Sequence, residues 1–120
     1  MRVLLVDDEA DTVFLLSVLL NRHGYDARTA SCGDEAIRIA REFQPDLIFL
    51  DLGMPGMNGY ELAKNLRGPG LTQATIVAMT GSAADSSRLI EAGIDRYLLK
   101  PVQLTAVLGL IAAVSNPVLA

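Results

Sequence analysis

Five side chains stand out in this chain of 120 residues: the adjacent carboxylates of Asp7 and Asp8, the carboxylate of Asp51, the hydroxyl of Thr80 and the ammonium of Lys100. Each follows an apolar run, "VLLV" before Asp7, "LIFL" before Asp51, "IVAM" before Thr80 and "YLL" before Lys100. A carboxylate at the end of a buried run must be solvated, paired or bound to a cation, because an isolated charge in an apolar medium is very costly. Three carboxylates on one rim repel one another. A small hard cation such as Mg²⁺ answers that repulsion, since it takes oxygen ligands, keeps waters and leaves room for phosphate oxygens. The expected ligands are Asp8, Asp51 and the carbonyl of Gly53, with Asp7 acting through water. Mn²⁺ accepts the same oxygen donors.

Lys100 then pairs with Asp51 at rest and with a phosphoryl oxygen later, while Thr80 offers a hydroxyl to another oxygen. An ionised Asp is itself a nucleophile toward phosphorus, forming an aspartyl phosphate, and phosphoryl transfer chiefly needs positioning and charge neutralisation. Asp51 is the expected acceptor.

The elements that must carry these groups are legible in the hydrophobic pattern. "VLLVDD" (3–8), "LIFLD" (47–51), "TIVAMT" (75–80) and "YLLK" (97–100) are almost continuously apolar, as strands covered on both faces are. The weaker run "YDARTA" (25–30) alternates and suits a strand nearer an edge. Helical segments lie between them. The first spans Ala10 to Arg22 and stops at Gly24; the second follows "SCGDEA" and stops before Pro45. The third opens at Asn58 with Glu61 three residues on, a capping-box start, and ends at "GPG" (68–70). A short fourth stops at Gly93, and a fifth runs from about Leu104 to Val114, with Pro117 beyond. Strand and helix alternate five times. The expectation is a single α/β domain over residues 1–120, an open doubly wound parallel sheet with helices on both faces and a crevice at the carboxyl ends of its strands.

Composition narrows the function classes. Hydrophobic residues make up 51% of the chain, ample for one core, and the net charge of −4 with scattered basic residues argues against a nucleic-acid surface on this chain. The single Cys32 forms no internal disulfide, no leader-like segment opens the chain and no apolar run is long enough to span a bilayer, so a cytoplasmic location is expected. The glycines of "GMPGMNG" (53–59) suit a tight turn, because no Lys-Ser/Thr pair follows them as a phosphate loop requires. His23 reads as a helix-end residue and Cys32 as an inert thiol.

The acidic pair in "LLVDDE", the acceptor in "LIFLDLGMPGMNGYEL", the Thr in "VAMTGSA" and the Lys-Pro of "YLLKPV" occur in order, each at a strand end. With these markers the chain resembles the receiver domains of two-component response regulators, related to the chemotaxis protein CheY, over essentially its whole length. The resemblance implies a flavodoxin-like sheet in order 2-1-3-4-5 and a switch phosphorylated on Asp51 by a sensor histidine kinase or a histidine phosphotransfer protein. It implies that Thr80 moves toward the phosphoryl group, that Tyr97 turns inward behind it, that the surface around the fourth helix, fifth strand and fifth helix changes, and that Lys100-Pro101 is a cis peptide. It leaves open the downstream target and whether the chain stands alone or belongs to a larger regulator or hybrid kinase. The stretch from Thr80 to Lys100 is a residue or two shorter than the family's usual length.

Two other classes share some of this chemistry. A Mg²⁺-dependent aspartyl-phosphate hydrolase would place a second Asp two positions beyond the nucleophile, where this chain has Gly53. A flavodoxin-like mononucleotide-binding module would need hydroxyls and backbone donors where "DDEAD" stands. A helical wheel of the first helix puts Leu15, Leu16 and Leu19 inward and leaves Phe14 and Val18 outward. The fifth turns Leu104, Val107, Leu108 and Ile111 inward and shows Thr105, Ala106, Gly109 and Ala113. Phe14, Val18, Pro101, Thr105 and Gly109 are therefore the expected docking face for the kinase or phosphotransfer partner, or for a second copy of the chain.

Overall fold

A computed structural model describes residues 1–115; the expected break at Pro117 lies outside them. Five parallel strands form one sheet in the order β2-β1-β3-β4-β5. They are β1 (Arg2–Val6), β2 (Asp26–Ala30), β3 (Leu47–Asp51), β4 (Thr75–Thr80) and β5 (Arg96–Leu99), and the helices α1 (Ala10–Arg22), α2 (Gly33–Phe43), α3 (Gly59–Arg67), α4 (Ser86–Ala92) and α5 (Leu104–Ser115) follow them in turn. The sheet is the flavodoxin-like one expected. β1 is shorter than its sequence run, because Asp7 and Asp8 have already left the strand.

Strand alternation sorts the core into two layers. Val3 and Leu5 of β1 face α1 and α5, where they meet Leu20 and Val107. Leu4 and Val6 face the opposite layer with Ala36, Leu62 and Leu89, from α2, α3 and α4. Phe49, Leu50, Ile76 and Val77 in the two central strands are wholly buried, each side chain worth roughly 1.5–3 kcal/mol of transfer free energy. β5 departs from the expectation of cover on both faces. It is an edge strand, and Leu99 is 55% exposed. An apolar run of three residues cannot by itself distinguish a central strand from an edge.

Local chemistry fixes the helix ends. Asn58 caps α3 by accepting a hydrogen bond from the Glu61 N–H, and the Glu61 carboxylate accepts from the Asn58 N–H in return. α4 ends at Gly93 with φ +81°, a left-handed conformation that favours glycine. His23 closes α1, its N–H donating to the carbonyls of Leu19 and Leu20. The inward face of α1 needs correction. Val13, Leu16, Ser17 and Leu20 are the buried residues, while Leu15 is 60% exposed beside Phe14 at 65%, and Val18 and Leu19 are half-buried. Ser17 misleads the wheel: its hydroxyl donates to the Phe14 carbonyl at 2.6 Å, so a polar side chain sits inward without an unpaired group.

Candidate functional site

Register brings the site residues to one rim. Val6 pairs with Leu50, Asp51 with Met79 and Thr80 with Leu99, so the next steps beyond β1 and β5, Asp7 and Lys100, finish level with Asp51 and Thr80. Two backbone bonds extend this alignment past the strands: Asp7 N–H donates to the Ala30 carbonyl and Lys100 N–H to the Thr80 carbonyl at 2.7 Å.

Asp7, Asp8 and Asp51 each offer a carboxylate oxygen, and the three oxygens lie within 4.8 Å of one another. Asp7 is 1% exposed and Asp51 7%, whereas Asp8 faces solvent. The Lys100 ammonium reaches across the cluster, with Nζ 3.2 Å from Asp7 Oδ2 and 3.2 Å from Asp51 Oδ1. Burial of Lys100 lowers its pKa, but the hydrogen bonds and charges of Asp7 and Asp51 together outweigh that effect and hold it above the ordinary lysine value. Asp7 Oδ1 accepts from the Glu9 N–H at 3.0 Å, and Asp51 Oδ1 accepts from the Gly53 N–H at 3.1 Å. Both carboxylates are therefore anchored at the rim by a backbone donor. Three carboxylates and one ammonium leave two formal negative charges.

Thr80 lies on the far side of Asp51. The two share an open cleft of about 410 Å³ that Tyr60, Asp85 and Arg88 also line. The Thr80 hydroxyl donates to the Ser82 carbonyl at 2.9 Å and accepts from the Ser82 N–H at 3.3 Å, which folds the β4–α4 loop back on itself. Behind Lys100 a second cavity, about 330 Å³, is walled by Asp7, Leu16, Met79, Pro101 and Val102. The Lys100–Pro101 peptide is cis.

The other residues singled out from sequence are spread more widely. Gly53 lies in the turn beyond Asp51 and is exposed. Tyr97, in β5, is 39% exposed and lines a groove with Leu89, Ile90 and Leu110 rather than the Asp51 cleft. Phe14 is exposed and Val18 half-buried on α1; Pro101, Thr105 and Gly109 are exposed at and along α5. Sequence reading missed Tyr60 and Arg88, which reach the cleft from α3 and α4 through tertiary placement alone. It also missed the tight seat of Gly59. A Cβ there would meet the Asp51 carbonyl oxygen at 2.5 Å, so only glycine lets α3 start against the strand end.

Residues 3–112 match the family model for the response regulator receiver domain. The chain belongs to that family. The receiver is 34% identical over 100 residues to the DNA-binding response regulator MtrA of Mycolicibacterium paratuberculosis, an alignment covering 83% of this chain and 44% of the relative; the chain thus spans under half the length of this curated relative. The fold is similar to that of the Vibrio cholerae chemotaxis protein CheY4, with TM-score 0.88, 28% identity and coverage of 94% and 97% of the two chains. It is also similar to a chain from the Saccharomyces cerevisiae complex between the histidine phosphotransfer protein Ypd1 and the receiver domain of its downstream response regulator Ssk1, with TM-score 0.85, 31% identity and coverage of 93% and 86%. This receiver is thus a component of two-component signalling. Among the described residues, no helix is long and apolar enough to cross a membrane.

Proposed function

We propose that the receiver is a phosphorylation-dependent switch in which Asp51 accepts a phosphoryl group from phosphohistidine on a sensor histidine kinase or a histidine phosphotransfer protein. The observation that carries this reading is the Lys100 ammonium held 3.2 Å from both Asp7 and Asp51, with Asp8 completing the acidic cluster. The two uncompensated negative charges there suit Mg²⁺, or Mn²⁺ in its stead, and hard oxygen donors fit either ion. Asp7, Asp8, Asp51 and the Gly53 carbonyl would hold the ion, which supplies neutralisation of the phosphoryl charge.

In the transfer, an Asp51 carboxylate oxygen attacks phosphorus and the P–N bond breaks. The bonding pair goes to the ring nitrogen, which leaves as neutral imidazole if the donor ring is protonated at its other nitrogen. No base is needed, because the carboxylate has no proton to lose. Lys100 moves from pairing Asp51 to pairing a phosphoryl oxygen. The Thr80 hydroxyl exchanges the Ser82 carbonyl for another, drawing the loop after β4 inward and letting Tyr97 follow, so that the α4–β5–α5 surface changes. Gly53 and Ser82 carry no carboxylate or amide to orient water, and slow self-dephosphorylation follows from that.

Residues 1–120 act on this reading as one receiver domain, cytoplasmic, with catalysis limited to its own phosphorylation and dephosphorylation. Phe14, Val18, Pro101, Thr105 and Gly109 form the face that meets the phosphodonor protein or a second copy. Its own surface makes no nucleic-acid contact; DNA binding of the kind named for MtrA would belong to other sequence.

Incubation with Mg²⁺ and a small phosphodonor, followed by intact mass measurement, tests the reading. One added phosphoryl group is expected, lost in Asp51→Asn and on chelation of the metal. Donor turnover far beyond one equivalent would instead favour a hydrolase.

A further inference from the structure

The cleft beside Asp51 carries two charged side chains besides Asp51 itself, Asp85 and Arg88. Asp85 is committed to its own helix: its Oδ1 accepts from the Ser87 N–H at 2.9 Å. Arg88 differs. Its guanidinium carbon lies 4.0 Å from the centre of the Tyr60 ring, and among the described residues it takes part in no ion pair or side-chain hydrogen bond. Arg67 shows what a structural arginine looks like in this fold, since it donates to the carbonyls of Gly93 and Thr72 and to the Asp95 carboxylate.

A guanidinium stacked on an aromatic ring uses its face for the ring and keeps its in-plane N–H fork for an anion, and the ring limits the conformations that must be lost on binding. Phosphate, like carboxylate, is an anion that such a fork fits bidentately, and phosphate is what the Asp51 reading brings to this cleft. We propose that Arg88, held against Tyr60, is the donor-recognition residue of this receiver: it engages the phosphate of the incoming phosphodonor at the mouth of the cleft while Lys100 serves Asp51 from the opposite side. The inference rests on the phosphoacceptor reading of Asp51. The bond changes are those of that reading, with oxygen–phosphorus formed, phosphorus–nitrogen broken and the electron pair kept by the nitrogen. Arg88 adds charge and orientation and exchanges no proton.

The test uses phosphoramidate as donor with saturating Mg²⁺, measuring the second-order rate of phosphorylation of the whole chain at low and high ionic strength. Arg88→Met is expected to slow labelling about tenfold, the value of roughly one hydrogen bond to a charged group, and to flatten the salt dependence. Arg88→Lys keeps the charge but not the fork, and is expected to restore the salt dependence while recovering only part of the rate. Arg28→Met is the control, because Arg28 stacks on Phe43 at 4.1 Å in the same manner but does not line the cleft. Thermal melting reports whether each variant is folded. Tyr60→Leu, which leaves the charge and removes its platform, gives a second route to a smaller loss with the salt dependence retained. Labelled wild type with Arg88→Met unchanged in rate and salt dependence overturns this inference alone, as does a salt dependence in Arg88→Lys as flat as that of Arg88→Met. Wild type that takes no label overturns the phosphoacceptor reading and this inference with it.

Discussion

Lys100 is the residue on which the resting site is balanced. Its ammonium satisfies two buried carboxylates at once, and removing one partner of such a group leaves charge without compensation. The sign of the pH effect follows from the raised pKa. A lysine whose folded value exceeds its unfolded one stabilises the fold fully below the unfolded value, about pH 10, and that contribution disappears as pH climbs through the higher folded value. In metal-free buffer, denaturant titrations of wild type and Lys100→Met are expected to differ by a constant amount from neutral pH up to the ordinary lysine pKa and to converge above it. Profiles that stay parallel into the alkaline range would contradict the pairing. At this scale the sequence was informative about identity and silent about partnership. The types of Asp7, Asp8, Asp51 and Lys100 mark them as a group, but only the folded chain brings Lys100 to Asp7 as well as Asp51 and leaves Arg88, stacked on Tyr60, without an ion pair among the described residues.

Among the elements, the helix starts were the most legible and the helix faces the least. The Asn58–Glu61 capping box is a local device, readable from two residue types three apart, and it is formed as read. α1 is apolar at Val13–Leu16 and again at Val18–Leu20, so more than one wheel orientation satisfies burial, and Ser17 decides the matter only through its bond to Phe14. The edge position of β5 was equally hidden, because pairing partners are set by topology rather than by the strand's own composition. The junction between β3 and α3 carries a sharper test. Gly59→Ala would drive a methyl into the Asp51 carbonyl and Leu52 Cα, atoms of backbone that cannot swing aside, and is expected to cost about 1–3 kcal/mol in chemical denaturation. A variant as stable as wild type would show that α3 can slide away from the strand end freely.

For the molecule as a whole, alternation of strand and helix was sufficient to read a doubly wound sheet, while the strand order 2-1-3-4-5 came through family resemblance. That order is what concentrates chemistry at one rim: β1 and β3 sit side by side, so Asp7 and Asp51 share the Lys100 ammonium, and β4 and β5 bring Thr80 and Lys100 alongside. Fourteen Asp and Glu residues are distributed over the chain, and we propose Asp51 alone among them as the acceptor. Borohydride reduction of the chain after treatment with phosphodonor and Mg²⁺, followed by peptide mapping, tests that selection directly, because an aspartyl phosphate is converted to homoserine where it stood. Homoserine at position 51 and at no other acidic position is the expected result; homoserine elsewhere with Asp51 intact, or no conversion at all, would contradict it.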